Sequence, residues 1–233
     1  MVLVDNTFLF DGSVKNKCLI ILNTDMSSDV FKYLWKTTEI HVTADGAANR
    51  LLSMFPEECE KYIPDYIIGD FDSSSATTLK YFEDRGATLL KDPNQDNTDL
   101  DKCLLHIHEK YTDLRVIIYG DLGGRFDHSF GIINSLMIAN QFYRDLVLVG
   151  SQGSLRVLPP GETTITRCDS FESKDGVTCG LIPLGGWTCN HVTTTGLKWN
   201  LNDSTMQFGY LVSSSNCMIS NHVTVDSACP LIW

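Results

Sequence analysis

Apolar residues in the first two-thirds of the chain form short continuous runs that alternate with stretches of helical periodicity. The runs predict buried strands at 18–23, 39–45, 65–70, 114–120 and 145–150. The intervening periodic stretches predict helices at 27–36, 47–55, 74–86, 98–111 and 127–143. Strands that are apolar throughout and separated by single helices are typical of a parallel sheet covered on both faces. The pattern therefore predicts an α/β domain with a mostly parallel sheet over residues 1–150.

The pattern changes after about Gly150. Short β-prone runs such as "TTITR", "GVTCGLIPL", "HVTTTG", "LKWNL" and "HVTVD" replace the helical stretches, with glycine, proline and asparagine between them. No amphipathic helix is predicted in this part. We expect residues 151–233 to form a second, all-β domain built as an antiparallel sandwich.

Charge and composition narrow the classes of function. The net charge of -11 over 233 residues argues against a nucleic-acid-binding face, which would be basic. No apolar run approaches the ~20 residues that a membrane span needs, and the N-terminus has no secretory pattern. None of the eight cysteines forms a C-x-x-C pair, so we expect reduced thiols, no zinc site and a cytoplasmic location.

Two aspartates follow the third predicted strand in "YIIGDFDSSS". If the chain stays extended, Asp70 and Asp72 point to the same side, because side chains of a strand alternate. Adjacent carboxylates at the carboxyl end of a parallel strand repel each other unless a cation lies between them, and oxygen ligands favour Mg²⁺. The alternative is a solvated turn, because the same residue types are good turn formers.

A second acidic stretch, "KDPNQDNTDLDK", precedes a predicted helix. Thr98 and Asp101 fit a capping box, and Asp99 would lie in the first turn, where negative charge stabilises a helix. Asp99 could equally complete a metal site with the pair at 70 and 72. A calcium loop fits poorly, since Asn97 stands where that loop needs glycine and Cys103 where it needs an acid.

Two further turns join a strand to a helix. In "YGDLGGRFDHS", Gly123 and Gly124 allow backbone amides to approach a phosphate, and Arg125 adds a forked donor. The alternative is an ordinary turn. In "TADGAANRLL", Asp45 could contact a ligand or simply cap a helix.

Six motifs together resemble one family. "ADGAANRL", "GDFDS", "NQDNTDLDKCL", "GGRFDH", "TTTGLKWNL" and "LVSSSN" occur in the order and spacing of eukaryotic thiamine pyrophosphokinases, with the animal type suggested. The resemblance extends from about Cys18 to Trp233. Family members often have a second glycine where Ala47 stands here.

The resemblance implies a function and a set of residues. The family transfers pyrophosphate from ATP to the thiamine hydroxyl, giving thiamine diphosphate and AMP. It uses Mg²⁺ and is a homodimer in which one subunit's α/β domain and the other's sandwich share the active site. The implied metal ligands and catalytic acids are Asp70, Asp72 and Asp99, with Asp127 as a further catalytic acid. The implied ATP-binding residues are Asp45, Gln95, Gly123, Gly124 and Arg125. The implied thiamine-binding residues are Gln95, Asp127, Trp199, Ser213, Ser215 and Asn216.

Two other functions compete with this one. Haloacid-dehalogenase-type phosphatases also place D-x-D after an apolar strand, but Ser74 stands where they need threonine or valine, and two strands precede the motif. The second competitor is a protein that binds thiamine or a nucleotide without turnover. Such a protein would be expected to have lost one of the three metal acids, and all three are present.

Overall fold

The structure of the protein, a computed structural model, describes residues 2–143, 145–167, 176–184 and 188–233. The chain forms two compact units. One unit is Gly12–Ser154, and the other consists of the residues up to Asp11 together with Leu155–Trp233. Each unit has its own sheets, and they are described separately below.

The first unit is built on a seven-stranded sheet. Its strands are β2 (Lys17–Ile21), β3 (Ile40–Ala44), β4 (Tyr66–Gly69), β5 (Thr88–Lys91), β6 (Arg115–Tyr119), β7 (Asp145–Gly150) and β8 (Gly153–Leu155). Their order is β5-β4-β3-β2-β6-β7-β8, and all pairs from β5 to β7 are parallel. β2 is buried along its whole length, as expected for a central strand covered on both faces.

Five helices connect these strands: α1 (Ser28–Thr37), α2 (Ala47–Met54), α3 (Ala76–Glu83), α4 (Asp99–Lys110) and α5 (Phe126–Ala139). The chain builds the sheet outward from β2 to β5 and then crosses to the other side of β2 with β6. In open α/β sheets, ligands bind at the carboxyl ends of the strands near such a reversal of strand order. The predicted α/β architecture with a mostly parallel sheet is confirmed.

The described residues of the second unit form two sheets. Its strands are β1 (Val2–Asp5), β9 (Val157–Leu158), β10 (Gly161–Thr166), β11 (Val177–Pro183), β12 (Cys189–Thr195), β13 (Ser204–Met206), β14 (Ser213–Met218), β15 (His222–Ser227) and β16 (Leu231–Ile232). The sheets have the orders β1-β10-β15-β12-β13 and β14-β11-β16-β9. Buried residues of both sheets, among them Val223, Ile165 and Leu181, form one apolar core, which confirms the all-β sandwich.

Two local features differ from the sequence analysis. The N-terminal strand β1 pairs in parallel with β10, so the first residues belong to the β-rich unit rather than to the α/β unit. The run "LKWNL" is not a strand but a bent segment after Gly196. Its apolar residues suggested pairing, but the amide of Leu201 bonds to the Thr194 side chain and the amide of Leu197 to that of Asn200.

The expectation of free thiols throughout is also corrected. Cys189 and Cys229 are joined by a disulfide, because the fold brings their Cα atoms to 5.6 Å, inside the usual range for such a bond. Cys18, Cys59 and Cys103 are buried thiols. Cys168 lies outside the described residues.

None of the helices in the described ranges combines the length and the apolar character that crossing a membrane requires.

Candidate active site

Three carboxylates meet at the carboxyl edge of the parallel sheet. Asp45 follows β3, Asp70 follows the neighbouring strand β4, and Asp99 is the first residue of α4. Each contributes one oxygen to a group in which all three oxygens lie within 4.8 Å of one another. Three negative charges at this separation repel strongly, so the arrangement favours a bound cation.

Asp45 is the most deeply placed of the three. The residue is fully buried, and its Oδ2 accepts a hydrogen bond from the Ser73 amide at 3.2 Å. Its Oδ1 is buried and has no hydrogen-bond partner among the described residues. A buried carboxylate oxygen without a partner is costly, and a metal ion would compensate it.

Gly69 allows the three acids to approach one another. A Cβ atom at this position would lie 2.5 Å from Asp45 Cβ and 3.1 Å from Asp99 Oδ1. Cβ atoms in proteins do not approach another atom as closely as 2.5 Å. Only glycine therefore fits at position 69 without displacing the carboxylates.

Asp70 and Asp72 are not arranged as an extended strand would place them. Phe71 has a φ of 66°, which turns the chain, and Asp70 Oδ1 accepts a hydrogen bond from the Asp72 amide at 3.1 Å. Asp72 accepts a hydrogen bond from Ser73 Oγ at 2.8 Å and lies outside the three-carboxylate group, although it lines the same cavity. The condition under which both aspartates were expected to point to one side, an extended chain, is therefore not met, because the backbone turns at Phe71.

Gln95 helps to keep Asp70 ionised. Gln95 Nε2 donates to Asp70 Oδ2 at 2.7 Å. This hydrogen bond, followed by that from the Asp72 amide, lowers the pKa of the Asp70 carboxyl below its ordinary value. The predicted ligand-binding residue Gln95 is thus in direct contact with the acidic group.

Asp99 stands at a capped helix start. Thr98 accepts a hydrogen bond from the Asp101 amide, and the Asp101 side chain accepts one from the Thr98 amide, so the predicted capping box is present. Burial raises the pKa of the Asp99 carboxyl, while the Lys102 ammonium at 3.2 Å acts in the opposite direction. Asp99 can therefore lie in the first turn of α4 and belong to the metal site at the same time.

Asp70 and Asp99 line a cavity of about 740 Å³ in the α/β unit, whereas Asp45 does not belong to its wall. Its wall includes Gln95, Asp99, Gly123, Gly124, Arg125 and Asp127, all of them predicted site residues. Gly124 has a φ of +77°, which suits glycine, and the segment leads into the N-terminus of α5, where an anion is favoured.

Arg125 and Asp127 form an ion pair with each other. Arg125 Nη2 donates to Asp127 Oδ2 at 2.6 Å, and both side chains are exposed. This hydrogen bond lowers the pKa of the Asp127 carboxyl. A phosphate that binds Arg125 must therefore share the guanidinium with Asp127 or displace it.

The sequence analysis missed several residues of the cavity wall, including Asn23, Asp25, Arg50 and Lys102. Arg50 donates to Asn23 Oδ1 and to Asp25 Oδ1, each at 2.7 Å, and thereby links α2 to the loop after β2. The position of Asn23 at a strand end on the same sheet edge could have identified it.

In the β-rich unit, Trp199, Ser213 and Asn216 form one cluster. Asn216 is buried, and its Nδ2 donates to the Trp199 carbonyl at 2.8 Å and to Ser213 Oγ at 3.1 Å. Its Oδ1 accepts hydrogen bonds from the Trp199 and Cys217 amides. Asn216 is therefore engaged in holding the Trp199 segment, while residue Trp199 is 56% exposed. Ser215 is exposed beside this cluster, with a φ of 58°.

Known proteins share both units. A family model described as "Thiamin pyrophosphokinase, catalytic domain" matches residues 31–148, and one described as "Thiamin pyrophosphokinase, vitamin B1 binding domain" matches residues 163–232. Thiamine pyrophosphokinase 2 of rice is 34% identical over 96% of this chain and 87% of its own length. The solved structure of thiamin pyrophosphokinase from Candida albicans, 26% identical, superposes with a TM-score of 0.84 and covers 99% of this chain and 91% of its own.

The animal type suggested by the motifs is not confirmed. Thiamine pyrophosphokinase 1 of Arabidopsis thaliana is 34% identical over 92% of this chain and 84% of its own length. The relative from the nematode Caenorhabditis elegans is 28% identical over 86% of this chain and 80% of its own length. Both family models match the chain in order, and the rice and Arabidopsis relatives are 34% identical over 96% and 92% of it. The chain therefore belongs to the thiamine pyrophosphokinase family.

Proposed function

We propose that this protein is a thiamine pyrophosphokinase that transfers the pyrophosphoryl group of ATP to the hydroxyl of thiamine and releases AMP. The observation that carries the proposal is the group of three carboxylates at the carboxyl edge of the sheet, two of which, Asp70 and Asp99, line a cavity of about 740 Å³. A polyphosphate would not approach such a group by itself, whereas a polyphosphate accompanied by a divalent cation would.

The residues present fit a magnesium ion. All three donors are carboxylate oxygens, which Mg²⁺ prefers, and Asp45 Oδ1 has no other described partner. We propose that Asp45, Asp70 and Asp99 hold the ion. Asp72, which the sequence analysis included among the ligands, lies beside these three acids rather than among them. When bound, Mg²⁺ supplies positive charge that stabilises the phosphate oxygens during transfer.

Different residues of the chain have different roles in this reaction. The backbone amides at Gly123 and Gly124 and the Arg125 guanidinium bind phosphate oxygens, and the cleft positions the thiamine hydroxyl in line with the β-phosphorus. The oxygen–phosphorus bond to thiamine forms as the bond to AMP breaks. Asp99 accepts the hydroxyl proton in this proposal. Asp127, which forms an ion pair with Arg125, is the second candidate.

The product assay tests this proposal. We expect purified protein with ATP, Mg²⁺ and thiamine to form thiamine diphosphate and AMP in equal amounts, and to form neither when a chelator removes the metal. Chromatography separates the products. ADP with thiamine monophosphate would mean that a single phosphoryl group is transferred. A phosphate ester trapped on Asp70 would indicate the phosphatase chemistry, and binding without AMP release would indicate a non-catalytic protein.

Thiamine binding is proposed for the β-rich unit. The exposed Trp199 ring can stack on the cationic thiazolium ring, and the Lys198 ammonium, 4.6 Å from the ring centroid, shows that the indole face accepts a cation. We propose that Ser213, Ser215 and Asn216, which lie beside Trp199, belong to the same thiamine-binding surface. We further propose a homodimer in which the acids of one subunit act with Trp199 of the other. The cytoplasmic location also remains a prediction.

Mixing two inactive variants tests the shared site. Asp70→Asn and Trp199→Ala chains that are co-expressed, or unfolded together and refolded, should regain about a quarter of wild-type activity at low thiamine concentration, because random pairing restores one intact site in each mixed dimer. Ile219→Ala, an exposed apolar residue of the same unit, replaces Trp199→Ala in the control mixture. Activity equal to the sum of the two separate variants would contradict sharing, as would a fully active 26.0 kDa species in sedimentation.

A further inference from the structure

Lys102 is buried in the wall of the acidic cavity. The residue is 4% exposed and lies in the first turn of α4, three residues after Asp99. Lysine is almost never buried to this degree without a partner, because removing an ammonium from water is costly. A cation in the first turn is also disfavoured by the helix dipole. Its position therefore requires an interaction that offsets both costs.

The contacts within the chain account for part of this interaction. Lys102 Nζ donates to Asp99 Oδ1 at 3.2 Å, and in the described ranges this is the only hydrogen bond or ion pair of the ammonium. An ammonium has three N–H groups. Two of them are not used by the described protein atoms, although they are at the boundary of a cavity rather than in bulk water.

Charge compensation of the acids explains the burial only in part. Asp45, Asp70 and Asp99 carry three negative charges, and Lys102 contacts one of them. A role limited to compensation would place the ammonium among the acids, where it would compete with the proposed metal. It instead pairs with Asp99 from the side of α4 and lines the cavity, where a ligand oxygen can accept its remaining N–H groups.

We propose that Lys102 is a phosphate-binding residue that holds Asp99 through one N–H group and donates the others to an oxygen of the pyrophosphoryl group. The assignment rests on the proposed function. The pyrophosphoryl group is favoured over the phosphate of AMP because the proposed metal acids lie next to Lys102, and the metal accompanies the group that is transferred. Lys102 thus places positive charge on the transferred group from the side of α4, whereas Arg125 is supplied by the segment before α5.

Binding of inorganic pyrophosphate tests the proposal independently of turnover. With Mg²⁺ present, calorimetry should show that Lys102→Met weakens pyrophosphate binding about 10- to 100-fold, the usual effect of losing a hydrogen bond between charged groups. The affinity for AMP should stay within about twofold. Lys102→Arg keeps a cation at this position and should retain most of the pyrophosphate affinity. Lys80→Met, which removes a lysine from an exposed ion pair with Asp84, is the matched control.

Other binding results would contradict the role of Lys102 in binding phosphate. Pyrophosphate affinity in Lys102→Met within about twofold of the wild type would overturn it, as would equal losses for pyrophosphate and AMP, which would mean that the cleft as a whole is disturbed. If Lys102→Met does not fold because Asp99 is left unpaired, Lys102→Gln takes its place, since the amide can still donate to Asp99. Failure of the product assay would contradict the proposed reaction, but the pyrophosphate titration would still decide the role of Lys102. A wild-type protein that binds no pyrophosphate would overturn it.

Discussion

Asp70→Asn should lower turnover by about 10²- to 10³-fold while the protein stays folded. The substitution keeps the shape of the side chain but removes one of three carboxylates whose oxygens lie within 4.8 Å of one another. Loss of a group that stabilises charge in the transition state typically has an effect of this size. Since the substitution also relieves repulsion among like charges, the midpoint of thermal unfolding without metal should not fall and should rise slightly.

Steady-state kinetics and thermal unfolding with and without Mg²⁺ check this expectation. The wild type should gain stability on addition of Mg²⁺, because a ligand that binds only the native state stabilises it, and Asp70→Asn should lose most of this gain. Asp84→Asn, an exposed acid paired with Lys80, is the control and should behave as the wild type. An Asp70→Asn enzyme with more than a tenth of the wild-type turnover would remove Asp70 from the proposed metal site.

Gly69→Ala should damage both stability and the acidic group. The added methyl group would lie 2.5 Å from Asp45 Cβ and 3.1 Å from Asp99 Oδ1, and β4 is buried on all four residues. Overpacking of a buried site costs about 1–3 kcal/mol of the free energy of unfolding. Because the displaced atoms belong to two of the three acids, we also expect a loss of Mg²⁺ affinity of at least tenfold and a comparable loss of activity at low metal concentration.

Denaturant unfolding and a titration of activity with Mg²⁺ measure the two effects. Gly12→Ala serves as the control, because a Cβ there meets only Thr37 Cγ2, at 4.0 Å, an ordinary contact. Activity in Gly69→Ala that returns fully at high Mg²⁺ would fit a displaced metal site. Unchanged stability together with unchanged Mg²⁺ dependence would show that the space beside Gly69 is not needed.

Local patterns were sufficient for much of the fold. The helix that begins at Asp99 was predicted from Thr98 and Asp101, and the structure contains both hydrogen bonds of that capping box. The parallel sheet followed from continuous apolar runs separated by single helices. These features depend on residues close together in the chain, so their chemistry is visible in the sequence.

The arrangement of the site was harder to predict from the sequence. The sequence suggested Asp70 and Asp72 as a pair on an extended chain, but the backbone turns at Phe71, and the three-carboxylate group contains Asp45 from the neighbouring strand instead of Asp72. Asn216 was implied as a thiamine-binding residue, but the sequence did not show that its side chain would bond to Trp199, Ser213 and Cys217. The sequence did not identify Lys102 as a site residue, because a lysine in a helix is usually exposed to solvent.

The sequence by itself determined the two-part architecture, the acidic strand ends and the family, since periodicity, capping and ordered motifs are properties of the linear chain. Only the tertiary structure decided which acids share a site, because parallel pairing of β3 with β4 brings Asp45 and Asp70 together across 25 residues of sequence. It also decided where Lys102 points and why residue 69 has no side chain. These are questions of distance and burial, and they depend on how separate segments pack rather than on any one segment.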